Sequence, residues 1–288
     1  MEPFSPTLLS IGTVVATYIS LRGTKRKSLS KSGACTAFAV AFLSIACGLR
    51  GFVLLMFYQI GTKATKYKKQ IKLQRDGDVA KSSVRGPSQV LACSVLAVAL
   101  SLVHAIYFGE ERKIDFQEHK YESMLACAIL SHHATCLADT LASELGILSK
   151  KAPFLITTFR KVPAGCNGGV TMNGFFFSFV GGFLMGLGQL IMDIISGLEV
   201  QPLKVLLFGS VSGLVGSILD SFLGATVQAT YYDKEKKLIY CDKEDAPKDV
   251  EQICGYNILS NAQVNAVSVA CTCTFGGIVL GPMIFKEE

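Results

Sequence analysis

Long apolar stretches separated by short basic connections recur along the 288-residue chain and restrict what it can fold into. Half of the residues are hydrophobic, and only 17% are charged, against about 25% in an ordinary soluble domain. Such a chain has too little polar surface to cover a water-soluble globule. Its composition also excludes collagen, coiled coils, secreted disulfide scaffolds and disordered tails. The sequence predicts an all-α, polytopic membrane helix bundle in a single domain, residues 1–288.

Eight stretches are candidates for membrane-spanning helices, each of which needs about 20 apolar residues. The second and third are short and are separated only by Gly48-Leu49-Arg50, so they form a tight hairpin, a re-entrant pair or one long tilted helix. The predicted number of transmembrane helices is therefore seven or eight. The stretches are 5–21, 34–48, 51–62, 88–108, 122–147, 174–196, 203–230 and 262–284.

The 28 Lys and Arg residues are distributed unevenly between alternate connections. All but six lie in four connections, namely 22–32, 63–85, 148–173 and 231–261. Because cytosolic loops of membrane proteins collect basic residues, these four are predicted to be cytosolic, including the long polar loop 231–261, and both termini to face the other side. The same topology explains the net charge of +6 without nucleic-acid binding. We expect segment 63–85 to bind anionic membrane lipids, in the endoplasmic reticulum or another endomembrane.

Cysteine and histidine residues inside the apolar stretches invite a metal or disulfide interpretation. Ten cysteines are present, most of them in apolar runs and none in a CxxC pair. We therefore expect small buried apolar side chains, with neither disulfides nor a zinc site. His132 and His133 lack a ligand spacing and are predicted to be structural.

Two carboxylates stand out within the apolar stretches, where an ionisable group is costly and marks a candidate functional position. They are Asp139 in the fifth stretch and Asp220 in the seventh, at similar depths toward the predicted cytosolic side. Helical periodicity places Thr140, Ser143 and Glu144 on the same arc as Asp139, which predicts a polar stripe facing a cavity. We expect the two aspartates to converge on one cation, with Glu144 as a further catalytic carboxylate. The alternative is a pair of interhelical hydrogen bonds.

A glycine-rich connection leads into the sixth stretch and is a second candidate binding element. Glycines let backbone N–H groups approach an anion, and the start of a helix adds its dipole. The pattern is neither a Walker A loop nor a dinucleotide fingerprint, and the alternative is an ordinary connecting turn. The residues predicted to bind nucleotide phosphates are Arg160, Lys161, Asn167, Gly168, Gly169 and Thr171.

Two further elements belong to the predicted site. Asn261 or Ser260 is expected to cap the last helix, and Asn265, one turn further in, is expected at the level of the two aspartates. On the seventh stretch, Gly209 and Gly213 have the small-residue spacing that allows close helix approach. We expect the helices to part at these glycines and admit a lipid tail from the bilayer.

Four sequence blocks resemble the transmembrane protein 19 family. The broader family includes the chloroplast phytyl phosphate kinase of tocopherol synthesis and is distantly similar to CTP-using polyprenol and dolichol kinases. The kinase relatives carry an acidic residue near the position held here by Asn167. The blocks are Asp139-Thr140-x-Ala142-Ser143-Glu144-x-Gly146, the run from Ile156 to Thr171, Gly216-Ser217-x-x-Asp220-Ser221, and Asn261-x-x-Val264-Asn265.

The resemblance implies transfer of a phosphoryl group from CTP or ATP to an isoprenoid lipid, either a prenyl alcohol or a prenyl phosphate. In this hypothesis Asp139 and Asp220 hold Mg²⁺, and the glycine-rich connection holds the nucleotide phosphates. Two other classes remain open: an ion-coupled transporter whose aspartates bind the coupling ion, and a non-catalytic membrane protein. The sequence leaves the oligomeric state open.

Overall fold

The computed structural model describes residues 1–73, 84–240, 247 and 250–286. Parts of the basic segment 63–85 and of the loop 231–261 lie outside the described residues. The described chain is mostly helical, as predicted. Its helices are α1 (Pro6–Lys25), α2 (Lys31–Cys47), α3 (Gly51–Lys66), α4 (Lys69–Leu73), α5 (Pro87–Ala92), α6 (Val95–Tyr107), α7 (Lys120–Gly146), α8 (Met172–Ile195), α9 (Pro202–Val227), α10 (Asn261–Phe275) and α11 (Gly281–Phe285), the last two joined by a π-helical turn, Gly276–Leu280.

Within the described residues, four helical segments are long and apolar enough to cross a membrane: α7, α8, α9, and α10 continued through α11. They coincide with the last four predicted stretches to within a few residues at most ends. Helix α7 is central, because α3, α6, α8, α9 and α10 all contact it. In the most apolar 18-residue segment of α7, 72% of the residues are buried, compared with 44% in the corresponding segment of each of the other three long helices.

The predicted number of seven or eight transmembrane helices is not confirmed, because the other stretches form shorter or less apolar helices. Helix α2 has 17 residues and α3 has 16; at ~1.5 Å per residue neither reaches across a hydrocarbon core of ~30 Å. The stretch 88–108 is divided into α5 and α6 at Cys93 and Ser94. Helix α1 is 20 residues long, but it is not apolar enough to count with the four.

The second and third stretches form two separate helices joined by a tight turn, which excludes the single long tilted helix among the three predicted alternatives. The carboxylate of Glu111 accepts hydrogen bonds from the backbone N–H groups of Leu49 at 3.1 Å and Arg50 at 3.0 Å. At the start of α3, Gly51 lies so close to α2 that a Cβ atom there would be 2.1 Å from the Ser44 carbonyl oxygen. A remote carboxylate and a close backbone contact therefore fix this turn.

Short strands in two of the predicted cytosolic connections were not predicted from the sequence. Strand β1 (Phe154–Leu155) pairs antiparallel with β2 (Gly169–Val170). In the loop 231–261, β3 (Thr230–Asp233) lies between β4 (Leu238–Tyr240) and β5 (Glu251–Cys254) in an antiparallel sheet. The described part of this loop is therefore folded, and its Ile239 packs in a small apolar cluster with Leu155 and Cys166 of the connection before α8 and with Ala225 of α9.

Candidate functional site

A cavity of about 710 Å³ lies between helices α1–α3, helices α7–α10 and the connection that precedes α8. It brings together seven of the nine residues predicted to form the site. Arg160 and Lys161 do not line it; both are exposed on the connection that bears β1. The seven that line it are Asp139, Glu144, Asp220, Asn167, Gly168, Gly169 and Thr171.

Asp139 and Asp220 occupy equivalent positions on α7 and α9. Each lies seven residues before the last residue of its helix, or ~10 Å along the helix axis. Both side chains line the cavity, and their carboxylates are close enough to act on each other electrostatically. Two acidic groups from distant parts of the chain therefore share one enclosed space.

The Asp220 carboxylate is oriented by two side chains of α10. The Ser268 hydroxyl donates to Asp220 Oδ2 at 2.8 Å. The amide nitrogen of Asn265, in the rotamer that satisfies its neighbours, donates to the same oxygen at 3.1 Å. Because both donors reach Oδ2, the other carboxylate oxygen keeps its capacity to bind a ligand. Sequence reasoning placed Asn265 at this level without a role, and it missed Ser268.

One of the two predicted caps of the last helix, Ser260, is confirmed. Ser260, not Asn261, caps α10, and Gln263 completes a capping box with it. Asn261 is the first helical residue, and its side-chain oxygen accepts from Gln228 Nε2 at 3.4 Å. Asn261 therefore joins α10 to the end of α9 at the cavity wall.

Glu144 has a basic partner that the sequence analysis did not identify. Lys72 Nζ binds Glu144 Oε2 and also donates to the Ala64 carbonyl oxygen at 2.8 Å. Lys72 is only 1% exposed, although it belongs to the segment predicted to bind lipid headgroups. The contact fixes α4 against α7 and compensates the charge of Glu144. It thus favours a positioning role for Glu144 over the predicted role as a catalytic carboxylate.

The glycine-rich connection uses its backbone donors within the protein. Gly169 N–H donates to the Cys166 carbonyl oxygen at 2.9 Å, and Asn167 N–H donates to Thr230 Oγ1 at 3.2 Å. Gly168 has φ +71°, and a Cβ atom there would lie 2.4 Å from that of Ala225. Glycine is therefore required here by a left-handed backbone and by close packing on α9. The backbone amides of Asn167 and Gly169 therefore do not form the predicted anion-binding site.

The cations on the cavity wall differ from the predicted pair. Lys72, Arg85 and Lys151 line the cavity in place of Arg160 and Lys161. In the sequence, Lys72 and Arg85 belong to a run of basic residues that topology alone explains, so no local signal singles them out.

The glycines of α9 close the space between helices. A Cβ atom on Gly209 would lie 2.6 Å from the Gly182 carbonyl oxygen of α8, and one on Gly216 would lie 2.3 Å from Thr135 Oγ1 of α7. The expectation that the helices part here for a lipid tail is therefore wrong. The apolar wall of the cavity is on the opposite side, where α1–α3 and the turn after α1 contribute Ile19, Leu29, Ala41, Leu54, Leu55 and Phe57.

The donor set around the aspartates suits a hard cation. It consists of carboxylate, hydroxyl and amide oxygens, and Mg²⁺ takes one or two carboxylates while keeping waters and substrate phosphates as its other ligands. Among the described residues no group of three or more His, Cys, Asp or Glu side chains could hold a metal ion. His132 and His133 are buried within α7, with their rings in edge contact. A metal bound here would thus depend on the two aspartates and on a phosphate-bearing ligand.

The long apolar helices and the polar cavity between them define a polytopic helical membrane protein with a polar site inside its bundle. Residues 14–273 match the family described as integral membrane protein DUF92. The chain belongs to this family of integral membrane proteins.

Three proteins similar to this chain come from a plant and an archaeon. Protein PGR of Arabidopsis thaliana is 33% identical over 279 residues, which cover 94% of this chain and 96% of the relative. An uncharacterized membrane protein of Methanocaldococcus jannaschii is 26% identical, over 75% of this chain and 82% of its own length. Protein VTE6, chloroplastic, of Arabidopsis thaliana is 30% identical over 54% of this chain and 47% of the relative. No solved structure matches significantly.

Proposed function

We propose that this chain is an isoprenoid kinase of the transmembrane protein 19 type, acting on a prenyl alcohol or prenyl phosphate at the cytosolic membrane face. The observation that carries the proposal is the meeting of Asp139 and Asp220 in a cavity that also has an apolar wall. Phosphoryl transfer depends on positioning and charge neutralisation, and a lipid acceptor needs apolar space beside the reacting group. Similarity to VTE6 and the resemblance to the phytyl phosphate kinase support the same class.

The proposed reaction moves the γ-phosphoryl group of CTP or ATP to the acceptor oxygen. That oxygen forms a bond to the γ-phosphorus while the bond from this phosphorus to the β–γ bridging oxygen breaks, and a nucleoside diphosphate leaves. When the acceptor is an alcohol, its proton passes to an oxygen of the transferred phosphoryl group. When it is a phosphate dianion, no proton has to move.

Asp139 and Asp220 are the residues that would hold Mg²⁺. When bound, the ion supplies neutralisation of the negative charge on the nucleotide phosphates. Ser268 and Asn265 keep the Asp220 carboxylate oriented throughout.

The family assignment places the chain in a membrane without identifying which membrane. The chain belongs to an integral membrane family, and we propose an endomembrane such as the endoplasmic reticulum, with the acidic cavity open toward the cytosol. Isoprenoid and bilayer lipids are the proposed partners.

The test is a transfer assay with the purified full chain in detergent. Phosphate-labelled CTP or ATP is offered together with geranylgeraniol, phytol or their monophosphates, and labelled lipid is separated by chromatography. We expect labelled product that depends on both the acceptor and Mg²⁺. No product with any donor and acceptor pair would overturn the proposal. Solute flux in proteoliposomes without nucleotide would then support the transporter class.

A further inference from the structure

Arg85 is a fixed cation on the cavity wall. Its backbone N–H donates to the Ser28 carbonyl oxygen at 3.1 Å, and its own carbonyl oxygen accepts from Ser30 N–H at 3.0 Å. These two bonds attach the residue to the turn between α1 and α2. The guanidinium donates to Thr62 Oγ1 at 3.3 Å and lies over the Tyr58 ring, 5.8 Å from its centroid. Backbone and side chain together therefore aim the charge at the cavity.

The charge of Arg85 lacks an acidic partner in the part of the chain that the structure describes. Lys72, a buried cation on the same wall, is neutralised by Glu144, whereas no described carboxylate lies within ion-pair distance of the half-buried Arg85. An uncompensated charge in a partly apolar cavity is costly. A guanidinium also offers five donors in a planar fork, of which Thr62 takes one. The remaining donors of the Arg85 guanidinium are thus suited to bind two oxygens of a single anionic group.

The position of Arg85 connects the two halves of the cavity. Tyr58 and Leu29, which are close to it along the wall, begin the apolar surface from α1–α3. On the other side, Arg85 and Asp139 both act electrostatically on the Cys93 thiol, so a single side chain is within reach of both charges. A group bound to Arg85 would therefore lie between the apolar wall and the aspartates.

We propose that Arg85 binds a phosphate group of the ligand, through the two-pronged contact that arginine makes with phosphate oxygens. The inference rests on the proposed function and deepens it by naming the residue that recognises the anionic end of a substrate. The phosphate comes either from a lipid monophosphate, whose chain lies along α1–α3, or from the nucleotide. Arg85 is a binding residue that acts beside the aspartates and does not replace them.

The test measures binding without transfer, so that it is independent of activity. Geranylgeranyl monophosphate, geranylgeraniol and CTP are titrated separately onto the purified full chain without Mg²⁺, and affinity is measured by microscale thermophoresis. We expect Arg85→Gln to weaken binding of one phosphate probe about tenfold or more and to leave geranylgeraniol within about twofold. Arg85→Lys should lose part of the affinity, because it keeps the charge without the fork. Arg26→Gln, at the exposed end of α1, is the matched control and should change nothing.

Each outcome has one meaning. A loss confined to the monophosphate identifies the lipid as the source of the phosphate, and a loss confined to CTP identifies the nucleotide. Unchanged affinity for both phosphate probes in Arg85→Gln, or an equal loss for geranylgeraniol, overturns the inference. The unfolding temperature of each variant shows whether it is folded. If the wild type binds a phosphate probe but never transfers phosphate, the proposed function fails while the role of Arg85 stands.

Discussion

Arg50 and Asp193 form a buried ion pair between residues 143 positions apart, with Nε of the arginine 2.7 Å from Oδ1 of the aspartate. Their side chains are 8% and 6% exposed. The guanidinium also donates to the Arg112 carbonyl oxygen at 2.7 Å. The pair ties the hairpin of α2 and α3 to α8, and the same hairpin contributes much of the apolar wall of the cavity.

Asp193→Asn should destabilise the protein strongly. It removes the ion-pair partner of the buried Arg50 and leaves only the nearby Glu111 carboxylate to compensate the guanidinium; breaking a buried ion pair typically costs about 3–5 kcal/mol. Thermal unfolding in detergent measures the effect. The control is Glu199→Gln, which removes an exposed pair with Lys113 and should cost less than about 1 kcal/mol. Equal losses of stability in the two variants would contradict the conclusion that burial makes the Arg50–Asp193 pair the more important one.

Gly182→Ala should lower the unfolding temperature because it separates α8 from α9. The added Cβ atom would lie 2.2 Å from the Gly209 carbonyl oxygen, a backbone atom that cannot move alone. Overpacking of this kind costs about 1–3 kcal/mol. Gly61→Ala on α3 is the control, since its Cβ atom makes an ordinary contact of 3.5 Å with Thr140. That variant should be neutral or slightly stabilising, and a loss as large as that of Gly182→Ala would refute the close-packing argument.

Ser268→Ala should weaken the response of the protein to Mg²⁺ and nucleotide. Loss of the 2.8 Å hydrogen bond frees the Asp220 carboxylate to rotate. The stabilisation of the protein by Mg²⁺ with CTP, measured as a shift in unfolding temperature across a titration, should therefore require several-fold more ligand. Thr274→Ala removes a hydroxyl from the same helix that bonds only to the Ala270 carbonyl oxygen. If both variants titrate like the wild type, Ser268 does not position Asp220.

Cys254 in β5 should react with alkylating agents near neutral pH. The Cys166 thiol, 3.2 Å away sulphur to sulphur, lowers the pKa of Cys254 from 9.0 to about 7 by hydrogen bonding, and burial opposes this only in part. Because the thiolate is the reactive form, the rate should rise with pH through a midpoint about two units below that of an ordinary cysteine. Iodoacetamide labelling followed by peptide mass spectrometry measures it. Cys166→Ala should move the midpoint back toward 9; an unmoved midpoint would contradict this cause.

The four long helices and the two aspartates were predictable because their signals are local. A run of more than twenty apolar residues predicts a spanning helix whatever surrounds it, and a carboxylate within such a run is costly wherever it points. The break between α5 and α6 gives no comparable signal. There, Ser94 Oγ donates to the Val90 carbonyl oxygen at 2.7 Å, and such back-bonding often bends a helix. Hydropathy averaged over a window does not detect it.

The cations of the cavity were not predictable, because their direction is set by distant partners. Lys72 turns inward to reach Glu144 and the end of α3, while its neighbours in the sequence form an ordinary basic run. At Gly168 the sequence correctly indicated a position that needs glycine, but for a different reason than anion binding. A positive φ and close contact with α9 require glycine there. A glycine pattern indicates that a position lacks room for a side chain or needs a left-handed backbone. It does not indicate whether a bound anion or a neighbouring helix imposes that requirement.

The central claim is that Asp139 and Asp220 together bind the nucleotide–magnesium complex that donates the phosphoryl group. The most direct test compares single-turnover transfer in Asp139→Asn and Asp220→Asn with the wild type and with Glu235→Gln, an exposed acidic control in the turn after β3. All four proteins are first checked for the same unfolding temperature without ligand. We predict that each aspartate variant loses about a hundredfold or more in rate, while the control keeps the wild-type rate. Wild-type transfer in either aspartate variant would contradict the claim.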